Sequence, residues 1–111
     1  MALSDAAKIS AAGAIATRAD LIKLHSGLPG ATGTANVIAG AQAAVTYVAG
    51  AAGEIDVSAA VTIAVPQGAT VSHFSLWDAT VLLAEEVFTS NAETYANAGQ
   101  ANITSAKVTI S

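Results

Sequence analysis

The chain has 111 residues, of which 59 are apolar and 28 of those are alanine; only 11% are charged, and the formal net charge is -4. Leu, Ile, Val and Phe make up 27 of the 111, about 24%, which excludes a disordered chain, and zero cysteines exclude a disulfide scaffold, a Cys-based zinc site and a thiol nucleophile. Residues 24–106 carry six acids and no Lys or Arg, so no basic groove for nucleic acid or phosphate can be built there.

The length suits one domain over 1–111, with a helix over 1–18 and a β-rich part over 20–111. Ser4 is a good N-cap, Asp5 complements the helix dipole, and residues 6–17 are rich in alanine, the strongest helix former. Leu3, Ile9 and Ile15 are the helix's only large apolar side chains. Its small residues permit close approach to another surface, either its own sheet or a partner subunit. Residues 20–25 read as a short strand. Residues 26–36 hold Gly27, Pro29, Gly30 and Gly33 and read as a loop. Residues 43–48 form a second strand and 50–53 a turn.

The clearest signal follows. Ile55, Val57, Ala59, Val61, Ile63 and Val65 alternate with Asp56, Ser58, Ala60, Thr62 and Ala64, the pattern of a sheet with one buried face. This is one long strand, or two broken near Ala59-Ala60. Pro66-Gln67-Gly68 is a turn. Residues 70–77 form a strand with Phe74 and Leu76 on one face and His73, Ser75 and Trp77 on the other. Residues 81–89 form another, with Leu82, Ala84 and Phe88 on the face of Glu86 and Val81, Leu83 and Val87 on the face of Glu85. Residues 90–100 read as a polar loop. Residues 102–110 form the last strand, with Val108 and Ile110 inward. Six to seven short strands after one helix predict a small antiparallel β-sandwich or barrel.

Residues 57–77 carry no Asp, Glu, Lys or Arg, a 21-residue run long enough to cross a bilayer. The Pro-Gln-Gly at its centre and its apolar period of two exclude a transmembrane helix. No basic segment leads into a long apolar stretch at the N-terminus, so the expectation is a soluble protein made in a cytoplasm, without a secretory signal.

Candidates for chemistry are few. His25 and His73 are the only histidines, and no ligand pair stands at i,i+2 or i,i+4 to build a metal site. Asp78 suits a turn that accepts backbone hydrogen bonds. Glu85 and Glu86, adjacent in a strand, point to opposite faces and do not share a substrate. The glycines at 27, 30 and 33 lack the helix and lysine of a phosphate loop. Ser72 and Ser75 have no G-x-S-x-G context. The expectation is no enzyme, no cofactor and no metal. An alanine buries far less area than a leucine, so the core is thin for the length. Sparse surface charge points the same way, towards a chain that buries further surface against copies of itself or a larger assembly.

LHSGLPG at residues 24–30 resembles the LHTGDPG motif of small virion proteins of actinobacterial tailed phages, which include tail-fibre-like, minor tail and head decoration proteins. Residues 3–16 resemble their Ala-rich first helix, and VTIAVPQGATVSHFSLWDA at 61–79 resembles their V-T-F-x-V-P-x-G-T-x-V-x-H-x-x-L-W hairpin. The positions carried over include Leu24, His25, Gly27, Pro29, Gly30, Pro66, Gly68, Val71, His73, Leu76, Trp77 and Asp78. Two departures stand out: Leu28 replaces the usual acidic residue, and residues 81–88 lack the expected glycines. The resemblance implies a non-enzymatic β-sandwich that multimerises on a virion. The favoured role is a capsid decoration protein, a trimer or other small homo-oligomer, bound to the major capsid protein or another virion protein. It would dock through Leu3, Ile9, Ile15, Arg18 and Lys23, with neither nucleic acid nor membrane as partner. The alternatives are a minor tail or tail-fibre protein, or a host-surface glycan-binding module using Trp77 with Asp78, or Tyr95 with Asn91 and Asn97.

Overall fold

The structure is a computed structural model that describes residues 4–50, 53–88 and 93–109. Helix α1 (Asp5–Arg18) starts where the Ser4 side chain accepts the Ala7 amide at 3.2 Å, and ends with the Ala19 amide on the Ile15 carbonyl. Only Ala12 and Ala16 of α1 are buried. Their small side chains bring the helix down onto β3 (Tyr47–Ala49) and β4 (Glu54–Val57), so α1 lies on a sheet of its own chain.

The fold is mainly β, with antiparallel sheets that do not close. The largest sheet has four strands: β2 (Val37–Ala44), β1 (Leu21–His25), β7 (His73–Asp78) and β8 (Val81–Val87), in that order. A three-stranded sheet has the order β11 (Val108–Thr109), β4, β3. β10 (Gly99–Ile103) pairs with β5 (Val61–Val65), and β6 (Thr70–Val71) with β9 (Glu93–Thr94). Ile22, Leu24, Phe74 and Leu76 of the large sheet, Tyr47, Ile55 and Val108 of the three-stranded sheet, and Ile63, Val65, Ala101 and Ile103 of β5 and β10 meet in one core cluster with Ala12 and Ala16.

The alternating stretch is two strands, broken at residues 58–60. Because three residues intervene, Ile55 and Ile63 keep the same phase and both face the core, yet β4 and β5 belong to different sheets. The stretch that raised the membrane question is thus spread over β4 to β7, and no helix among the described residues is long and apolar enough to cross a membrane.

Several expectations need correction. The sequence pattern assigns no element to residues 37–42 and starts a strand only at residue 43, whereas β2 begins at Val37. Its sequence, VIAGAQAA, has weak β propensity, and the strand exists because β1 supplies a ladder from Leu21↔Ala44 to His25↔Val37. The strand expected over 43–48 breaks at Val45-Thr46, where the chain leaves one sheet for another. The polar loop expected over 90–100 contains β9 and the start of β10, and the last strand is interrupted over 104–107. Ile110 lies outside the described residues.

β8 departs from strict alternation. Register slips between Leu76 and Trp77, so Leu76 pairs with Ala84 while Trp77 pairs with Leu82. Leu83 is the extra residue of a β-bulge. Leu82 therefore shares the Trp77 face with Glu85 and Val87, whereas Leu83 and Ala84 pack on the core. Strict alternation had placed Leu82 and Leu83 on the opposite faces.

Candidate functional site

The outer face of the large sheet is where the residues of chemical interest gather. On β1 the positions Lys23 and His25, and on β7 the positions Ser75 and Trp77, point away from the core that Ile22, Leu24, Phe74 and Leu76 fill. This face is not left to solvent. The loop 26–36 folds back over it, and His25 and Ser75 are fully buried while Trp77 is 6% exposed.

One hydrogen-bond relay ties loop to sheet. The Ala35 carbonyl, which can only accept, lies 2.9 Å from His25 Nδ1, so Nδ1 carries the proton and Nε2 is an acceptor. His25 Nε2 is 2.7 Å from Ser75 Oγ, which must then donate. Trp77 Nε1, a donor only, gives its proton to the same Oγ at 2.7 Å. Direction is fixed throughout: Trp77 to Ser75, Ser75 to His25, His25 to Ala35. Every member is satisfied only while the imidazole is neutral, and burial pushes His25 below its ordinary pKa, against the lesser upward pull of the Ala35 carbonyl.

The loop also braces itself. The Ser26 amide bonds the Asn36 carbonyl, the Ala35 amide bonds the Pro29 carbonyl, and the Gly33 amide bonds the Gly30 carbonyl, all at 2.9–3.0 Å. Asn36 Nδ2 donates to the Leu28 carbonyl at 3.1 Å. Gly33 has φ +70, and a Cβ there would stand 2.7 Å from a Leu82 methyl and 2.9 Å from the Trp77 ring. Glycine is required both for its backbone conformation and for the close approach of the loop to the indole. Lys23 Nζ covers the same indole at 4.4 Å from the ring centroid.

The motif residues fall into place accordingly. Leu24 is core, His25 is the hinge of the relay, and Gly27 backs on the Asn36 side chain. Pro29 is buried and Gly30 turns at φ +78. Pro66 and Gly68 (φ +84) make the β5–β6 turn, where the Gly68 amide bonds the Tyr95 carbonyl. His73 Nδ1 is 2.7 Å from the neighbouring Ser72 hydroxyl; His73 stands opposite His25 across β1 and β7 but shares none of the relay's hydrogen bonds. Asp78 was expected to accept a turn amide. Instead Asp20 takes the Ala79 amide at 3.0 Å, and Asp78 is left to pair with Arg18 at 3.0 Å. Trp77, offered as a glycan platform, is enclosed by loop 26–36 and Lys23 and has no free ring face to stack on a sugar.

Of the proposed docking residues, Ile9 is exposed at 49%, Ile15 packs against the core, and Leu3 lies outside the described residues. Arg18 and Lys23 are engaged within the chain, by Asp78 and Trp77. Beside the loop runs a groove of about 390 Å³ lined by Leu28, Pro29, His73, Glu85, Glu86 and Val87. Leu28 is 70% exposed on its rim. Nothing in the sequence pattern marked this groove, because its two walls come from segments more than forty residues apart.

A second polar cluster fastens the C-terminal segment. Asp56 accepts the amides of Val57 and Ala106 through Oδ1 and the Ser105 hydroxyl through Oδ2, all at 2.8 Å. Burial raises the Asp56 pKa, but these bonds together outweigh it and hold the carboxyl below its ordinary value. The buried Tyr47 hydroxyl donates to the Ala106 carbonyl at 2.7 Å, and burial pushes its pKa upward.

The Ser75–His25 pair has the composition of a nucleophile and base, but both side chains are sealed beneath the loop, with Ser75 Oγ also accepting from Trp77. The geometry holds a loop in place. Among the described residues no three His, Asp or Glu side chains are grouped to bind a metal ion. No family model, curated protein or solved structure matches this chain.

Proposed function

We propose that this chain is a non-enzymatic structural subunit of a bacteriophage virion, a decoration protein that oligomerises on the capsid shell and reinforces it. One observation carries the reading: the three segments that resemble the phage proteins, distant in sequence, meet in space. Ala12 and Ala16 of the first segment share one core cluster with Leu24 of the second and Ile63, Phe74 and Leu76 of the third, and His25 of the second bonds Ser75 of the third. A motif set that cooperates in one structural unit is better grounds for kinship than three separate matches. The unit is built for rigidity, with a glycine-tight loop clamped on a sheet by a closed relay, which suits a load-bearing part.

Many copies would bridge neighbouring capsid subunits, and the trimer expected of such a protein would cover exposed apolar residues such as Ile9 and Val48. Quantitative mass spectrometry of virions purified from a phage that encodes this chain tests the proposal. Hundreds of copies per particle are expected. A handful would transfer the role to the tail, and none would overturn it. Light scattering of the purified chain is expected to give three times the chain mass.

A further inference from the structure

We propose that β8 is a docking edge, taking an extended segment of another polypeptide, with two adjacent basic residues, as a fifth strand of the large sheet. The inference goes beyond the virion role and stands on the edge geometry alone. β8 is the last strand of its sheet, paired with β7 on one side and with no strand on the other among the described residues. The opposite edge, β2, lies against β5, and β8 comes near β11 without pairing with it. An unpaired edge is a template for another strand, and charged side chains and bulges blunt it. The bulge at Leu83 and the carboxylates of Glu85 and Glu86 turn away an ordinary strand, so only a segment that neutralises both carboxylates can add to residues 84–87.

The bulge at Leu83 disrupts regular pairing in the first half of β8, which leaves residues 84–87 as the regular stretch. Those residues flank the groove. Glu85, Glu86 and Val87 line it with His73; by register Glu85 and Val87 share the His73 face of the sheet and Glu86 pairs with Phe74 on the other. All four Lys and Arg side chains of the chain are described, and none pairs with Glu85 or Glu86: Arg18 is on Asp78, Lys107 on Glu54, Lys23 over Trp77, and Lys8 on α1. The edge therefore presents two uncompensated carboxylates in succession, then an apolar Val87 that is 52% exposed. Across the groove stands Leu28, exposed on a backbone that Asn36 holds fixed. A strand laid on this edge places consecutive residues opposite Glu85, Glu86 and Val87, which calls for two cations side by side followed by an apolar residue. Main-chain bonds to the edge would supply binding, and the carboxylates and Leu28 the selectivity.

The probe is the acetylated, amidated octapeptide Val-Thr-Val-Lys-Lys-Val-Thr-Val, whose palindromic sequence fits either strand direction, titrated into the full chain and followed by amide NMR. Saturable shifts at residues 84–87 and at Leu28 are expected. Replacing the peptide's two lysines by glutamates, or using the Glu85→Gln/Glu86→Gln variant, is expected to weaken binding about tenfold. Leu28→Ser is expected to weaken it about fivefold while leaving the circular dichroism spectrum unchanged. Shifts absent from 84–87 or confined to β2, equal binding of the acidic peptide, or concentration-dependent broadening of 84–87 without peptide, which would make a second copy the occupant, each overturn the proposal.

Discussion

Ser75→Ala is the sharpest perturbation of the relay. The hydroxyl is the shared partner of two buried groups, His25 Nε2 and Trp77 Nε1, each at 2.7 Å. Removing it leaves an imidazole nitrogen and an indole N–H without partners, beneath a loop that admits no water to Ser75 or His25. Each orphaned buried group costs roughly 1–3 kcal/mol, so the variant loses about 4 kcal/mol in total. The lost volume is one oxygen atom, so the cavity contribution is small beside this. Urea denaturation, followed in parallel by circular dichroism and by the fluorescence of Trp77, the chain's one tryptophan, reads the loss as a lower midpoint at unchanged slope. Ser72→Ala is the matched control: it removes a single bond, to the half-buried His73, and should cost under about 1 kcal/mol. If Ser75→Ala costs no more than Ser72→Ala, the relay does not hold the loop and the reasoning fails.

Gly33→Ala combines a left-handed backbone with a clash against the rigid Trp77 ring and should cost about 3 kcal/mol in the same titration, whereas Ala79→Gly, at φ 54 in the β7–β8 turn, should gain about 1 kcal/mol. His25 is neutral in the folded chain and protonates more readily once unfolded, where its ordinary value is 6.5, so the unfolded state binds the extra proton in acid. Stability is therefore complete above about pH 6.5 and falls as pH drops below it; the urea midpoint measured from pH 7 to 5 should decline for the parent chain and lose that slope in His25→Gln. Asp56, held below 3.8, adds a further loss as pH falls through that value. Tyr47→Phe leaves the Ala106 carbonyl without its donor and should cost about 1–2 kcal/mol by thermal melting, with hydrogen exchange accelerated first at residues 104–109.

Much of the fold was legible in order. The Ser4 cap and alanine run specified α1, the run from Ile55 to Val65 declared its buried face, and the glycines and proline after His25 marked the loop. These are local properties: a cap, a period of two and a turn residue act within a few positions, so they can be read from the chain itself. The relay could not be read this way. His25 and Ser75 are fifty residues apart and belong to ordinary strand patterns; only the β1–β7 register, Lys23↔Ser75 and His25↔His73, brings their side chains into reach. The same holds for β2, whose weak sequence becomes a strand because β1 lies beside it, and for Leu82, which a single bulged residue moves to the other face. Periodicity decides which side of a strand is buried. Pairing between distant strands decides which residues share that side, and the groove, the clamped loop and the open edge all depend on that second decision.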